Sequence, residues 1–252
     1  MPEHPVLPDA APFSAAGSDV GVLVLHGFTG HPGSVRPLAE ALAAAGLSVE
    51  LPRLPGHGTA VEDMLVTRFA DWSAAAEAAY EALAARSRQV VVAGLSMGGT
   101  LACWLTARHP EVAGLVAVNA LVQSPEAEVV DMARQMLAAG EQVAPGIGSD
   151  IADPDAHETA YAGSPLAPLL SLVDAVEELQ QQLPRIACPV LVLTSAEDHV
   201  VAPANSDHLA AMVSGPVERV PLERSYHVAT LDYDRDLIAE RTIDFVRKVT
   251  AA

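Results

Sequence analysis

The chain has 252 residues, half of them hydrophobic and 18% charged, with Lys+Arg 14 against Asp+Glu 32 and a formal net charge of −18. That length fits one large α/β domain or two small ones, and the apolar content is too high for a disordered chain. The charge argues against binding duplex nucleic acid, which needs cations to displace counterions, and against attraction to anionic lipid headgroups. A single lysine, Lys248, lies near the C-terminus. This excludes a phosphate-binding P-loop and disfavours Schiff-base chemistry. Two cysteines, Cys103 and Cys188, are too few for a disulfide framework or a cysteine-built metal site and read as small apolar residues. Met1 to Asp19 has no basic segment followed by an apolar one, and no run approaches the roughly 18 apolar residues of a membrane span. A soluble, cytoplasmic protein without membrane association is expected.

Residues 1–18, rich in Pro and Ala, read as an irregular tail or first loop. Val20 to Leu25 is apolar without alternation, as expected of a strand covered on both faces. Val35, Leu38, Ala39 and Leu42 then form one helical stripe, with Gly46 suited to its C-terminus. Leu47 to Leu51 is a second strand. Asp71 is a candidate cap for a helix in which Trp72, Ala76, Ala79, Tyr80 and Leu83 share a face. Val90 to Ala93 is a third strand, followed by a helix bearing Leu101, Ala102 and Leu105. Leu115 to Val118, Val190 to Leu193 and Val217 to Leu222 continue the series, and a last helix covers about Asp234 to Val249. Strands alternating with helices predict a doubly wound, mostly parallel sheet.

Roughly 70 residues between Asn119 and Pro189 interrupt this rhythm, far more than an α/β connection needs. They carry Met132, Met136, Leu137, Leu166, Leu169, Leu170, Leu172 and Val173 around a Pro-, Gly- and Asp-rich middle. Insertions leaving the carboxyl edge of an open α/β sheet lie where ligands bind. The expected division is a core of residues 1–119 and 186–252 with a small cap of residues 120–185. The plainer possibility is a helix pair that extends the core.

The strongest chemical signal is Gly94-Leu95-Ser96-Met97-Gly98-Gly99, between a buried strand and a helix. G-x-S-x-G is weak alone but specific in that context. A nucleophile at the tip of so sharp a turn needs small neighbours on either side. Its hydroxyl then stands at the sheet edge, beside a helix N-terminus that favours negative charge. Serine needs a base within hydrogen-bond reach. His227, after the last strand and before the last helix, is placed for that role. The base needs an acid to fix its tautomer, and the loop after Val190 to Leu193 offers Glu197 and Asp198. The Met97 amide supplies one donor to an oxyanion. The Phe28 amide, in His26-Gly27-Phe28-Thr29-Gly30 directly after the first apolar strand, supplies a second. Pro55-Gly56-His57-Gly58 reads as a turn bracing the site.

Leu23-Val24-Leu25-His26-Gly27-Phe28-Thr29-Gly30, Leu54-Pro55-Gly56-His57-Gly58, Ala93-Gly94-Leu95-Ser96-Met97-Gly98-Gly99 and Ser225-Tyr226-His227-Val228 together resemble the α/β-hydrolase superfamily. The likeness is greatest to small bacterial carboxylesterases and monoacylglycerol lipases. It covers nearly the whole chain and implies an opening on what is the third strand of larger relatives. It implies Ser96 as nucleophile, Asp198 rather than Glu197 as the orienting acid, His227 as base, and the Phe28 and Met97 amides as oxyanion hole. It also implies a cap over an apolar acyl pocket. The implied reaction is hydrolysis of short- to medium-chain carboxylic esters, monoacylglycerols among them, through an acyl-enzyme. No metal or cofactor is required, and the form is a monomer or homodimer. An aspartate nucleophile, as in dehalogenases and epoxide hydrolases, is ruled out by serine at position 96. Thioesterase, acyltransferase, carbon–carbon bond hydrolase and slow ligand-receptor readings keep the same residues.

Overall fold

The computed structural model describes residues 4–146 and 148–251. In chain order its first half comprises β1 (Phe13–Ala15), β2 (Val20–Leu25), α1 (Arg36–Ala44), β3 (Ser48–Leu51), α2 (Val61–Leu65), α3 (Phe69–Ala84), β4 (Gln89–Leu95), α4 (Met97–Thr106) and β5 (Gly114–Val118). Then follow α5 (Ala127–Ala138), β6 (Val143–Pro145), β7 (Gly163–Pro165), α6 (Leu166–Gln180), β8 (Val190–Ser195), α7 (Ala204–Met212), β9 (Val217–Leu222) and α8 (Arg235–Thr250).

Seven strands form one sheet in the order β1-β3-β2-β4-β5-β8-β9, parallel throughout except that β1 runs antiparallel to β3. The unbroken apolar runs follow from this layering. Along β2, Val20, Val22 and Val24 enter one core, while Leu23 and Leu25 enter the other. Along β4, Val91, Ala93 and Leu95 join the first set, and Val90 and Val92 the second. The first core is closed by α1 and α8 through Leu38, Leu42, Ile238 and Phe245. The second is closed by α3, α4 and α6 through Trp72, Tyr80, Leu101, Leu105, Leu172 and Val176. With both faces covered, the residues of the central strands β2 and β5 are buried throughout and show no polar alternation, whereas the edge strands β1 and β9 expose Ser14 and Arg219.

Three local expectations are corrected. The segment before Val20 is not wholly irregular: β1 pairs with β3, so a strand precedes the one on which the chain was expected to open. Asp71 does not cap α3 from outside. It lies in the first turn, and its Oδ2 accepts the Arg68 backbone N–H at 2.8 Å, satisfying a donor just before the helix. The nine-residue α7 was not foreseen, because its sequence, Ala-Asn-Ser-Asp-His-Leu-Ala-Ala-Met, lacks an apolar stripe. Gly46 has φ +87 just beyond α1, the left-handed conformation that ends a helix.

The long segment between β5 and β8 has two parts. Its α6 is a core helix, with Leu166, Leu172, Val173, Val176 and Leu179 buried. Its α5, the antiparallel β6–β7 pair and the connecting loops lie further out, and Val129 and Met132 on α5 are exposed. Among the described residues no helix is long and apolar enough to cross a membrane.

Candidate active site

Ser96 is the single residue between β4 and α4, at φ 57, ψ −121, a conformation that non-glycine residues adopt only under constraint. The constraint is packing. Its N–H donates to the Val118 carbonyl at 3.0 Å, and its own carbonyl accepts the Thr100 N–H at 3.1 Å. A β-carbon on Gly94 would collide with the Gly98 backbone, one on Gly98 with the Leu25 carbonyl, and one on Gly99 with the Ala120 side chain. The three glycines therefore let α4 start directly against β2, β4 and the end of β5. Gly27, on the loop after β2, is also within contact range: its β-carbon would lie 3.9 Å from Ser96 Oγ.

His227 follows β9 and is buried. Its Nδ1 lies 2.7 Å from Asp198 Oδ2, and both side chains are nearly sealed, at 8% and 1% exposure. A carboxylate can only accept, so Nδ1 carries the proton of this bond, and in the neutral ring Nε2 is the acceptor. Asp198 Oδ1 accepts the N–H groups of Val200 and Val201 at 2.8 and 2.7 Å, which fixes the carboxylate from the other side. Glu197, the competing acid, is exposed. Ser96, His227 and Phe28 line one pocket of about 90 Å³. Met97 is fully buried, and its amide stands at the N-terminus of α4.

Several site residues carried no motif. Asn119, at φ 45 just past β5, donates from Nδ2 to the His227 carbonyl at 2.8 Å and accepts the Ser195 N–H at 2.8 Å. It thereby ties the ends of β5 and β8 to the loop bearing His227. The inserted segment contributes Gly148, Asp150, Glu158, Tyr161 and Ser164 to the pocket wall. Tyr161 donates its hydroxyl proton to Gly56 O at 2.7 Å and accepts the Thr59 N–H at 3.0 Å; its own N–H donates to Thr29 O. Glu158 Oε1 accepts the Ser34 hydroxyl at 2.6 Å, and burial holds its carboxyl above the ordinary glutamate range. Only the Pro-, Gly- and Asp-rich character of the insertion hinted at a loop here. Met132, expected in an apolar cap, is 63% exposed; neither it nor the half-buried Met136 and Leu137 lines this pocket. Among the described residues no group of His, Cys, Asp and Glu could hold a metal ion.

A serine on a strand–turn–helix elbow, above the carboxyl ends of a mostly parallel sheet wrapped on both faces, is the construction of an α/β-hydrolase. Residues 18–234 match the family described as serine aminopeptidase, S33. The chain belongs to that family. It is 47% identical over 249 residues to a thermostable monoacylglycerol lipase of Bacillus sp. (strain H-257), covering 98% of each chain. It is 28% identical to a carboxylesterase of Bacillus subtilis (strain 168), over 94% of this chain and 96% of that one. A solved structure from work on two metagenome-derived lipolytic enzymes, LipS and LipT, superposes with a TM-score of 0.93 at 41% identity, covering 97% of this chain and 100% of the other.

Proposed function

We propose that this carboxylic ester hydrolase cleaves monoacylglycerols and related esters of short- to medium-chain acids through an acyl-enzyme on Ser96. His227 Nε2 takes the serine proton as Oγ attacks the ester carbonyl. Asp198 holds the imidazole in the tautomer that leaves Nε2 free and stabilises the imidazolium. The Phe28 and Met97 amides hold the oxyanion, where the loss of one donor costs about 3–4 kcal/mol of barrier. His227 then protonates the leaving alcohol and activates the water that releases the acid. The observation that carries the reading is the 2.7 Å Asp198–His227 bond, with His227 sharing a pocket wall with Ser96.

The preference for a monoacylglycerol rests on the 47% identity to a monoacylglycerol lipase and on polar side chains within the pocket wall. Glu158 and Ser164 offer hydrogen-bonding groups to an alcohol that keeps free hydroxyls, where a simple alkyl ester has none to match. The outer part of residues 120–185 acts as the cap, through the five residues it adds to the pocket, while α6 serves the core. No metal or cofactor takes part, and the protein works away from membranes as a cytoplasmic monomer or homodimer.

The test is turnover of a p-nitrophenyl ester series and of monoacylglycerols by the wild type and by Ser96→Ala. Activity peaking at short to medium chains, with monoacylglycerol cleaved and Ser96→Ala slower by roughly 10⁶, supports the reading. Substantial esterase activity in Ser96→Ala overturns the mechanism, and activity on alkyl esters without monoacylglycerol cleavage overturns the substrate.

A further inference from the structure

We infer that Asp150, a residue of the inserted segment, is a positioning residue for the Asp198–His227 pair. The inference rests on the reading of those two residues as acid and base. Asp150 Oδ2 accepts the backbone N–H of His227 at 3.1 Å and that of His199 at 3.1 Å. Its Oδ1 lies 2.8 Å from His199 Nδ1, and its carbonyl accepts the Val228 N–H at 3.0 Å. One carboxylate therefore stitches the loop of the acid, one residue beyond Asp198, to the main chain of the base.

The mechanical argument concerns what else holds His227. Asn119 grips its carbonyl, Asp198 grips its ring, and Asp150 grips its amide. The Asp198 ring bond sets the tautomer but lets the imidazole tilt. The two backbone bonds, at opposite ends of the residue, fix where the ring starts from. Without Asp150, the N–H groups of His227 and His199 lose their partners. The two loops then keep the ring bond, the Asn119 link, the Ser195 hydroxyl bond to the Tyr226 carbonyl and the His199–Tyr226 ring contact, none of which holds the His227 amide. Misplacement of a catalytic group by about 1 Å costs up to roughly 10²-fold in rate.

Asp150 itself is not needed to hold the insertion down. The neighbouring N–H groups of Ala152 and Asp153 bind the fully buried Asp232 carboxylate at 2.8 and 3.0 Å. The Tyr161 contacts to Gly56, Thr59 and Thr29 anchor it further along. Asp150 is thus free to act on the catalytic loops while its own segment stays docked.

The test compares wild type with Asp150→Ala and Asp150→Asn on p-nitrophenyl butyrate, with kcat expressed per active site titrated by a fluorophosphonate. The expected result is a fall in kcat of about 10- to 100-fold in Asp150→Ala, with KM within about threefold and the rate of serine labelling falling in parallel. Asp150→Asn keeps an acceptor oxygen and retains an intermediate rate. Leu38→Ala on α1, remote from the site, serves as a destabilised comparison and keeps its kcat per titrated site. Wild-type kcat per site in both Asp150 variants, or a rise in KM alone, overturns the inference. Should Asp150→Ala fail to fold, the kcat of Asp150→Asn decides on the same criteria. His227→Ala separates the two levels: if it stays active, the acid–base reading itself has failed, whereas an inactive His227→Ala beside fully active Asp150 variants fails Asp150 alone.

Discussion

The His26 imidazole accepts the Leu54 backbone N–H on Nε2 at 3.1 Å. Its proton must then sit on Nδ1, which donates to the Gly27 carbonyl at 3.0 Å. That carbonyl and the Phe28 N–H belong to one trans peptide, in which they point in opposite directions. Holding the carbonyl against the buried ring therefore aims the Phe28 N–H the other way, on the loop where Gly27 lies beside Ser96. His26→Ala is expected to lower kcat by about 10- to 100-fold, less than deleting an oxyanion donor outright, with little change in KM. Affinity for a boronic acid transition-state analogue should fall in the same proportion. Weakened substrate binding at full kcat contradicts the assignment.

Stability should depend on acid through the buried His57 and His26. Burial pushes the His57 imidazole down to about 4 and lowers His26 in the same direction. In the unfolded chain both titrate near the ordinary value of about 6.5. Between those values the unfolded state binds more protons, so the stability is complete at neutral pH and drains away as pH falls from about 6.5 towards 4. For His57 alone the loss amounts to about 3 kcal/mol. His109 opposes this. Partial burial lowers it, but hydrogen bonds with Glu111 and Glu77 outweigh that and raise it, so its ion pairs strengthen as pH falls. Those pairs are partly exposed and contribute less. Melting temperature measured from about pH 7.5 to about 4.5 should therefore drop on the acid side, and His57→Gln should flatten the curve. An equally steep curve in His57→Gln removes His57 as the cause.

Gly98→Ala is expected to be among the most damaging single-methyl changes in the chain. The added carbon meets backbone atoms of Leu25 and His26, not the flexible end of a side chain, so relief requires α4 to move away from β2. Such a shift would carry Ser96 with it. The expected outcome is destabilisation of about 3 kcal/mol or more, or failure to accumulate as folded protein, with low activity per folded molecule. Unaltered melting and turnover would show that the elbow has slack.

Asp232 is buried and accepts four backbone N–H groups, from Ala152, Asp153, Tyr226 and Tyr233. Asp232→Ala strands donors from two segments far apart in sequence. A loss of about 3 kcal/mol is expected, lowering the melting temperature by roughly 6–12 °C. Hydrogen exchange should quicken at residues 149–153 and 225–228 before it does in the central strands. Asp232→Asn should recover only part of the loss, since its NH₂ faces donors. Uniform quickening across the whole fold would argue against a local tie.

The legible parts of this protein are those governed by short-range rules. The strands β2, β4, β5 and β8 announce themselves through apolar runs, and the elbow through glycines whose spacing the turn demands. Less legible was whatever depends on a distant partner. β1 is three residues, Phe-Ser-Ala, with no periodicity of its own, and it becomes a strand because β3 has an open edge beside it. The rivalry between Glu197 and Asp198 is likewise a matter of direction: both follow the same strand, but only one carboxylate turns inward to meet His227. Asp150, Glu158, Tyr161 and Asn119 lie outside any motif, and their places in the pocket wall or its supports follow from side-chain bonds spanning 49 to 124 residues of sequence. The insertion packs α6 into the core and adds loop residues to the pocket wall that Ser96 lines, neither of which its composition specifies.

The shared Asp232 carboxylate bears on how relatives of this chain could be recombined. Its donors come half from the insertion and half from the loop bearing the histidine, so the insertion is not an exchangeable cassette. A chimera that imports a foreign lid without matching main-chain donors at 152 and 153 would leave the buried Asp232 carboxyl short of two of its donors, next to the loop bearing His227. Grafts should therefore be cut so that residues 149–153 travel with the C-terminal loop instead of with the donor lid.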